Sequence, residues 1–443
     1  MPGSNEPQTS GEQPVSWLQR YRIQLFVRNS LWLLPAVAIV AALISVSLLT
    51  RFEGPAGSQV NISVDTGRII MSTVAASLFS LVILVSSAVL LAVQLASAQL
   101  TPRIIAMVYR NTLLKLCLAL FVFSFTFSVA VLVRIEDTVP RLASYIAAYG
   151  FLIDIVLFVV FIDRIGKTLR PSSAVRTVGL AGREVIRAVY PSLLRDQSEP
   201  AKPVEAFERT PRRVVTNNTD GAVLAFDLKG LVQLAQESDC VIEMVPRVGN
   251  FIAAGDPLFW VYGDAHRLTD SRLRNSVAVD QERTLEQDPM FAFRIIVDIA
   301  SKALSPAIND PTTAVLAIDQ LHHLLREVGK RYLAEGYERD SGDDIRVVFR
   351  TPDWEDFVQT ATTEIRQYGG DSIQVQRRLR AMLKDLIETL PAERASVLQK
   401  ELALLKTLST RAFPDLDDQS LAQEDDPQGI GGSSDETDRS HTD

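Results

Sequence analysis

The chain has 443 residues, with 45 Lys and Arg against 53 Asp and Glu, a formal net charge of −8. Hydrophobic residues make up 47% and charged residues 22%, which excludes a wholly disordered chain and a globally basic nucleic-acid binder. Cys117 and Cys240 are too few for a disulfide framework or a structural zinc site.

Residues 1–18 are expected to be disordered. A transmembrane domain follows at 19–165, built on apolar runs at 31–49, 69–100, 116–133 and 142–162. A helix needs roughly 20 apolar residues to cross a hydrocarbon core of about 30 Å, and all four qualify. Within the fourth, Asp154 is the only ionisable residue. Lys and Arg mark the cytoplasmic flanks. Arg20, Arg22 and Arg28 precede the first run; Arg103, Arg110 and Lys115 lie between the second and third; Arg164, Lys167, Arg170 and Arg176 follow the fourth. The remaining two loops mix acids and bases. Both termini are therefore expected in the cytoplasm, where Cys240 stays a free thiol. The first run is too long for the core of a cleavable signal and reads as an anchor.

The second run carries the most pattern. Thr73, Ser80, Ser87, Gln94 and Thr101 recur every seven residues, with Ser77 beside them. That spacing keeps them on one face, with a drift of about 20° per heptad. Such a face is either a helix-packing surface, where small hydroxyl residues permit close approach, or one wall of a water-contacting pathway shared among subunits. Asp154 has the same two readings, a proton or cation site or a hydrogen-bonded link between helices. It is expected to face the bundle interior.

A basic, helical linker at 166–200 is expected to lie against the inner leaflet. Gly166-Lys167-Thr168 is no phosphate loop, because Phe161 stands where the motif needs glycine. A β-rich module follows at 201–275, with strands near 213–215, 222–226, 240–245, 248–252 and 257–261 and a short helix near 228–236. The run Val248-Gly249-Asn250-Phe251-Ile252-Ala253-Ala254-Gly255-Asp256-Pro257-Leu258 resembles the small barrel-sandwich modules related to lipoyl and biotinyl domains. It lacks their exposed lysine hairpin, so no carrier role follows. Residues 276–412 read as a mainly helical domain. Asp288-Pro289 and Asp310-Pro311 open helices over 290–304 and 312–328, since Asp caps free amides and Pro fits the first turn. A strand is expected at 344–350, then helices near 353–368, 371–389 and 392–409. Residues 413–443 read as an acidic disordered tail. From Pro414 onward ten acids meet one base, leaving 44 bases and 43 acids in the rest of the chain.

Two stretches carry a family resemblance. One is Val93-Gln94-Leu95-Ala96-Ser97-Ala98-Gln99-Leu100-Thr101-Pro102-Arg103. The other begins at Gln287-Asp288-Pro289-Met290-Phe291 and runs through Val297-Asp298-Ile299-Ala300 to Ala303-Leu304-Ser305-Pro306-Ala307-Ile308-Asn309-Asp310-Pro311-Thr312-Thr313-Ala314. With the four apolar runs, they resemble the bacterial multi-pass family known as Domain of Unknown Function 2254, over about residues 25–410. Ala292 stands where that family's pattern often has glycine. The resemblance implies an integral membrane protein of undefined activity.

The fold class expected is an α-helical membrane protein: four transmembrane helices, then a cytoplasmic α/β domain with a small β barrel-sandwich-like module and a helical C-terminal part. Thr73, Ser80, Ser87, Gln94 and Asp154 are candidates for a membrane pathway. Arg283, Asp288, Asp298, Ser305, Asn309 and Asp310 form a candidate cytoplasmic polar cluster if their two helices pack end to end; caps and buried ion pairs are the alternative. His266, His322, His323 and His441 match no zinc-protease spacing, no serine-hydrolase elbow occurs, and His322-His323 reads as a half-exposed helix face. No cofactor, metal or nucleic acid is expected. Expected partners are the lipid bilayer, further copies of the chain, and a cytoplasmic ligand or protein. Three functions compete: an oligomeric membrane-anchored scaffold or sensor, a channel or transporter-like assembly gated by its cytoplasmic domain with the second span lining the path, and, well behind, an enzyme using the Asp298–Asp310 region.

Overall fold

The computed structural model describes residues 16–53, 63–105, 110–136, 139–168, 170–196, 210–263, 265–266, 268–333 and 336–431. Most of the expected disordered N-terminus (1–15), and the tail from 432 with His441, lie outside the described residues. The chain divides into two compact units. The first takes the described parts of Met1–Phe26, Ala188–Phe291 and Tyr332–Pro352; the second takes those of Val27–Arg187, Ala292–Arg331 and Asp353–Asp443.

The first unit is built on two sheets. Strands β1 (Arg213–Thr216), β2 (Gly221–Phe226), β3 (Val241–Met244), β4 (Phe251–Ile252), β5 (Pro257–Tyr262), β6 (Val277–Asp280), β7 (Tyr337–Arg339) and β8 (Ile345–Phe349) form orders β1-β5-β3-β8-β7 and β4-β2-β6. All pairings are antiparallel except β3 with β8, where Ile242 lies opposite Val347. The strands expected at 213–261 are present, and each sheet is completed from outside that stretch, by β6 or by β7 and β8. Gly221 lets β2 and β6 meet, since a Cβ there would stand 2.5 Å from the Asp280 carbonyl oxygen. Alternation turns Ile242 and Met244 into a core with Val215, Leu231, Phe259 and Val261. The early part of helix α1 (Trp17–Asn29) lays Trp17, Leu18, Tyr21 and Leu25 on Ala222, Leu224 and Ala278 of the small sheet.

The second unit holds four helices long and apolar enough to cross a membrane: α2 (Leu33–Glu53), α3 (Val64–Gln99), α4 (Thr112–Val133) and α5 (Arg141–Thr168). Their ends lie within a few residues of the apolar runs. Ser63 caps α3 through Thr66 N at 3.2 Å, and Asn111 caps α4 through Leu113 N at 3.0 Å. Helix α4 is central and packs on the other three. Ala42, Val46, Met71, Phe127, Ala130 and Ala143 form one core layer, and Val85, Cys117, Phe121 and Phe161 another. The outward faces are apolar too, with Val37, Ile44, Ile83, Leu91, Val156 and Val159 exposed, the reverse of a water-soluble bundle.

The same unit contains α6 (Pro171–Val189) for most of its length. Helix α7 (Leu228–Glu237) and short α8 (Asp270–Arg274) belong to the first unit, and α9 (Pro289–Ala303) runs from the first unit into the second. Helix α10 (Pro311–Gly329) buries Ala314, Ala317, Ile318, Leu321, Leu325 and Val328 at helical spacing. Helices α11 (Trp354–Tyr368), α12 (Ile373–Thr389), α13 (Ala395–Ala412) and α14 (Leu416–Ala422) complete it. A capping box between Asp353 and Asp356 starts α11.

Two expectations need correction. The basic segment after the fourth apolar run does not present a bare face for a leaflet. Val175, Val178 and Ile186 of α6 are buried, and Gly179 and Gly182 lie against Gln320, and against Ala292 and Leu324. The acidic stretch from 413 is structured as far as 431. It forms α14 and a loop on α12, because Arg377, Arg380 and Lys384 supply the counter-charges it lacks locally.

Candidate functional site

Helix α3 shows how the polar row is used. Its bundle-facing positions are Val74, Leu78, Val85, Val89 and Ala96, all buried. Thr73, Ser80, Ser87 and Gln94 are all exposed on the other side of the helix, and Ser77 with them. Thr73 and Ser80 return their hydroxyl protons to the carbonyls of Ile69 and Ala76, at 2.8 and 3.1 Å. Asp154 is elsewhere. It is fully buried, at a cavity of about 110 Å³ between α4 and α5 lined by Ser124, Gly150 and Phe127. The residues grouped as one pathway thus separate into an outward row and an inward carboxylate.

At the end of α3 the two stretches that carried the resemblance meet. Thr101 is buried and caps a short turn, Pro102–Ile104, accepting from Arg103 N. Arg103 pairs with Asp298 of α9. Lys302, one turn further along α9, donates to the Ser97 carbonyl at 2.9 Å. Asp298 also accepts from Arg294 Nε at 2.6 Å, and Arg294 forks onto both oxygens of Glu364 in α11, each at 2.6 Å. Hydrogen bonding to Glu364, then to Asp298, raises the Arg294 guanidinium pKa, while Arg294 holds Glu364 below the usual carboxylate range. Charged side chains thereby bolt the end of α3 to α9 and α11.

The proposed cytoplasmic cluster resolves into local arrangements. In the first unit, Arg283 grips Asp288 at 2.7 Å, and Asp288 accepts from Phe291 N at 3.1 Å to start α9. Burial pushes the Asp288 carboxyl up, with Arg283 opposing. In the second unit, Asp298 serves the α3 junction. Asp310 caps α10 through Thr313 N at 3.0 Å, Asn309 takes a positive φ of 49° in the turn before it, and Ser305 donates to the Lys302 carbonyl at 2.7 Å. Caps and ion pairs account for these groups. Of the His322-His323 pair, His322 is the inner member: its side chain is 15% exposed, with Nε2 2.7 Å from Asp385 and Nδ1 3.2 Å from Arg378. Burial lowers its pKa, against the pull of Asp385. His323 beside it is exposed. Among the described residues no group of three or more His, Cys, Asp or Glu side chains is placed to hold a metal ion.

One feature of the first unit has no local signal in the sequence. A cavity of about 740 Å³ opens where residues 188–192, 226–229, 286–289, 337–338 and 349–352 converge with Val248 and Tyr332. Of its lining, Gln287-Asp288-Pro289 and Val248 fall in the patterned stretches of the sequence.

The described residues thus combine four helices long and apolar enough to cross a membrane with a mixed α/β region. The chain belongs to the family described as Predicted membrane protein (DUF2254), whose model matches residues 28–385. Uncharacterized protein Rv1290c of Mycobacterium tuberculosis H37Rv is 24% identical over 428 residues, which cover 92% of this chain and 81% of that one. Uncharacterized protein Mb1321c of Mycobacterium bovis matches equally. No solved structure matches the chain.

Proposed function

We propose that the protein crosses the bacterial inner membrane four times, with both termini in the cytoplasm, and works as a homo-oligomeric, membrane-anchored scaffold or sensor. Its sheets we read as a barrel-sandwich-like module within the cytoplasmic part. The observation carrying the proposal is the exposure of Thr73, Ser80, Ser87 and Gln94 on α3. Thr73 and Ser80 satisfy their hydroxyls within the helix, but lipid tails offer the Gln94 amide and the Ser87 hydroxyl no hydrogen bonds, so this end of the row at membrane depth calls for a cover. A second copy supplies one: Ala76, Ser77 and Ser80 are small enough for close helix approach. The charged junction at Arg103 then links movement of the cytoplasmic helices to the assembling helix.

Cysteine cross-linking in native membranes tests this. Cys240 is 2% exposed and burial raises its thiol pKa to about 11, so it contributes no background. Ser80→Cys and Ser87→Cys should give cross-linked dimers. Phe79→Cys and Ser86→Cys, each about 100° round the helix, should not. Equal cross-linking on both faces, or none anywhere, overturns the proposal.

The same exposed row supports a second reading, a channel or transporter-like path lined by α3 from several copies. The burial of Asp154 away from that row favours the scaffold or sensor. Ion flux into liposomes holding the purified protein, abolished by Ser87→Leu, would favour the channel instead.

A further inference from the structure

We propose that the 740 Å³ cavity of the first unit binds a nucleotide, its base against the aromatic walls and its phosphates toward Lys229 and Arg350. This deepens the sensor reading by naming what is sensed, and it stands on residues of the first unit alone. The volume lies within the roughly 300–1,000 Å³ of small-molecule sites, and the lining divides by chemistry.

Phe226 and Phe349 present rings 5.4 Å apart between centroids and tilted by 56°, and Tyr337 lines the same space with the Arg339 guanidinium 5.1 Å over its ring. Buried Tyr190 adds a further aromatic surface. Such walls receive a flat heterocycle by stacking, whichever base it carries. Lys229 and Arg350 are exposed at the lining, and neither makes an ion pair with another described residue. Lys229 stands in the first turn of α7 and Pro289 at the lining begins α9, two helix starts already capped by Asp227 and Asp288, so Lys229 and Arg350 are the positive charge the lining offers a phosphate. Glu286 and Glu338, also at the lining, are acceptors suited to sugar hydroxyls. A flat ring, hydroxyls and a polyanion in one molecule describe a nucleotide. A fatty acid, with its single carboxylate, would answer one of Lys229 and Arg350, and a sterol neither.

The walls are fixed before any ligand arrives. The Gln287 amide accepts from Phe226 N at 3.1 Å and donates to the Phe226 carbonyl at 3.3 Å, tying β2 to the start of α9. Tyr332 N donates to the Ser192 carbonyl at 3.0 Å, joining two more of the converging segments. Preorganisation of this kind spares a ligand the cost of ordering its site.

Calorimetric titration of the purified full-length protein in lipid nanodiscs tests the site, with ATP, GTP, adenosine and pyrophosphate as separate probes. ATP or GTP should bind at least about tenfold more tightly than adenosine or pyrophosphate. Lys229→Ala and Arg350→Ala should each weaken nucleotide binding by about tenfold, the scale of one charge-assisted contact, and leave adenosine binding unchanged. Both residues are exposed, so the melting temperature without ligand should not move. Phe226→Leu keeps an apolar side chain but removes the ring, and should weaken nucleotide and adenosine alike. Pyrophosphate binding as tightly as ATP, nucleotide binding indifferent to both cation variants, or no heat from either nucleotide overturns the site. Cross-linking at Ser80 in the same preparation keeps that failure distinct from failure of the assembly.

Discussion

Arg103, in the turn that ends α3, is ion-paired with Asp298 on α9 across 195 residues of sequence. Asp298 is the shared acceptor for two arginines, Arg103 and Arg294, and its side chain is only 19% exposed. Asp298→Ala should therefore cost about 1–2 kcal/mol: a hydrogen bond to a charged group gives about 1.5–3 kcal/mol, discounted because Arg103 is 43% exposed and can return to water. Unfolding of detergent-solubilised protein measures the loss. A double-mutant cycle with Arg103→Ala isolates the pair, with a coupling of about 1 kcal/mol expected. Zero coupling would mean the two side chains are merely adjacent.

Helix α6 offers a paired test of packing. A Cβ on Gly182 would sit 2.7 Å from Ala292 Cβ, an atom fixed to the α9 backbone. Gly182→Ala should thus destabilise by about 1–3 kcal/mol, in spite of a helix-propensity gain of about 1 kcal/mol. On Gly179 the nearest atom is the Gln320 Oε1, at 2.5 Å, the far end of a flexible side chain. Gly179→Ala should be near neutral. Equal effects in thermal melts would show that the α6 contact is looser than the structure has it.

What the sequence disclosed follows interaction range. The apolar runs were legible because a spanning helix needs little beyond length and an absence of charge. The starts of α9 and α10 were legible because Asp288-Pro289 and Asp310-Pro311 act within one turn. The alliance of β3 with β8 was not, since Ile242 and Val347 meet across more than a hundred residues and nothing local marks the partner. The same holds for the cavity, assembled from segments spread between 188 and 352, of which Val248 and Gln287-Asp288-Pro289 lay in patterned stretches. The polar row of α3 was visible as a heptad repeat, but its direction was set by where α4 and α5 pack.

Acid should loosen the β7–β8 hairpin. Asp340 accepts from Arg346 Nε at 2.7 Å and from the backbone amides of Gly342 and Asp344, at 2.8 and 3.1 Å. The Arg346 bond, foremost, lowers its carboxyl pKa to about 2, against about 3.9 in an unfolded chain. A depressed carboxylate stabilises the fold above its unfolded value, so the contribution is complete above pH ~4 and fades as pH falls toward ~2. Amide exchange in 337–349 should accelerate across that window in the native protein. Asp340→Asn should exchange quickly already at neutral pH and lose the acid dependence. An unaltered acid profile in that variant would place the titration elsewhere.

The docked acidic segment should come away in a definite order. Asp426 is 2% exposed and accepts from Gly429 N and Gly431 N at 2.8 and 2.7 Å, closing a loop whose glycines have φ of +74° and +85°. Gln374 of α12 holds that loop by donating to the Gly429 carbonyl at 2.7 Å. Asp425, by contrast, lies 2.6 Å from Lys384 and 3.4 Å from Arg380, with its own side chain 31% exposed and that of Lys384 42%. Exposed pairs are screened by salt, whereas buried charge-assisted bonds are not. Asp426→Ala should strip protection from amides 416–431 at every salt concentration. Asp425→Ala should matter only at low ionic strength, and global melting should barely move in either, because the segment can open alone. If Asp425→Ala proved the more damaging at high salt, the loop would be held by its surface charges rather than by the buried carboxylate.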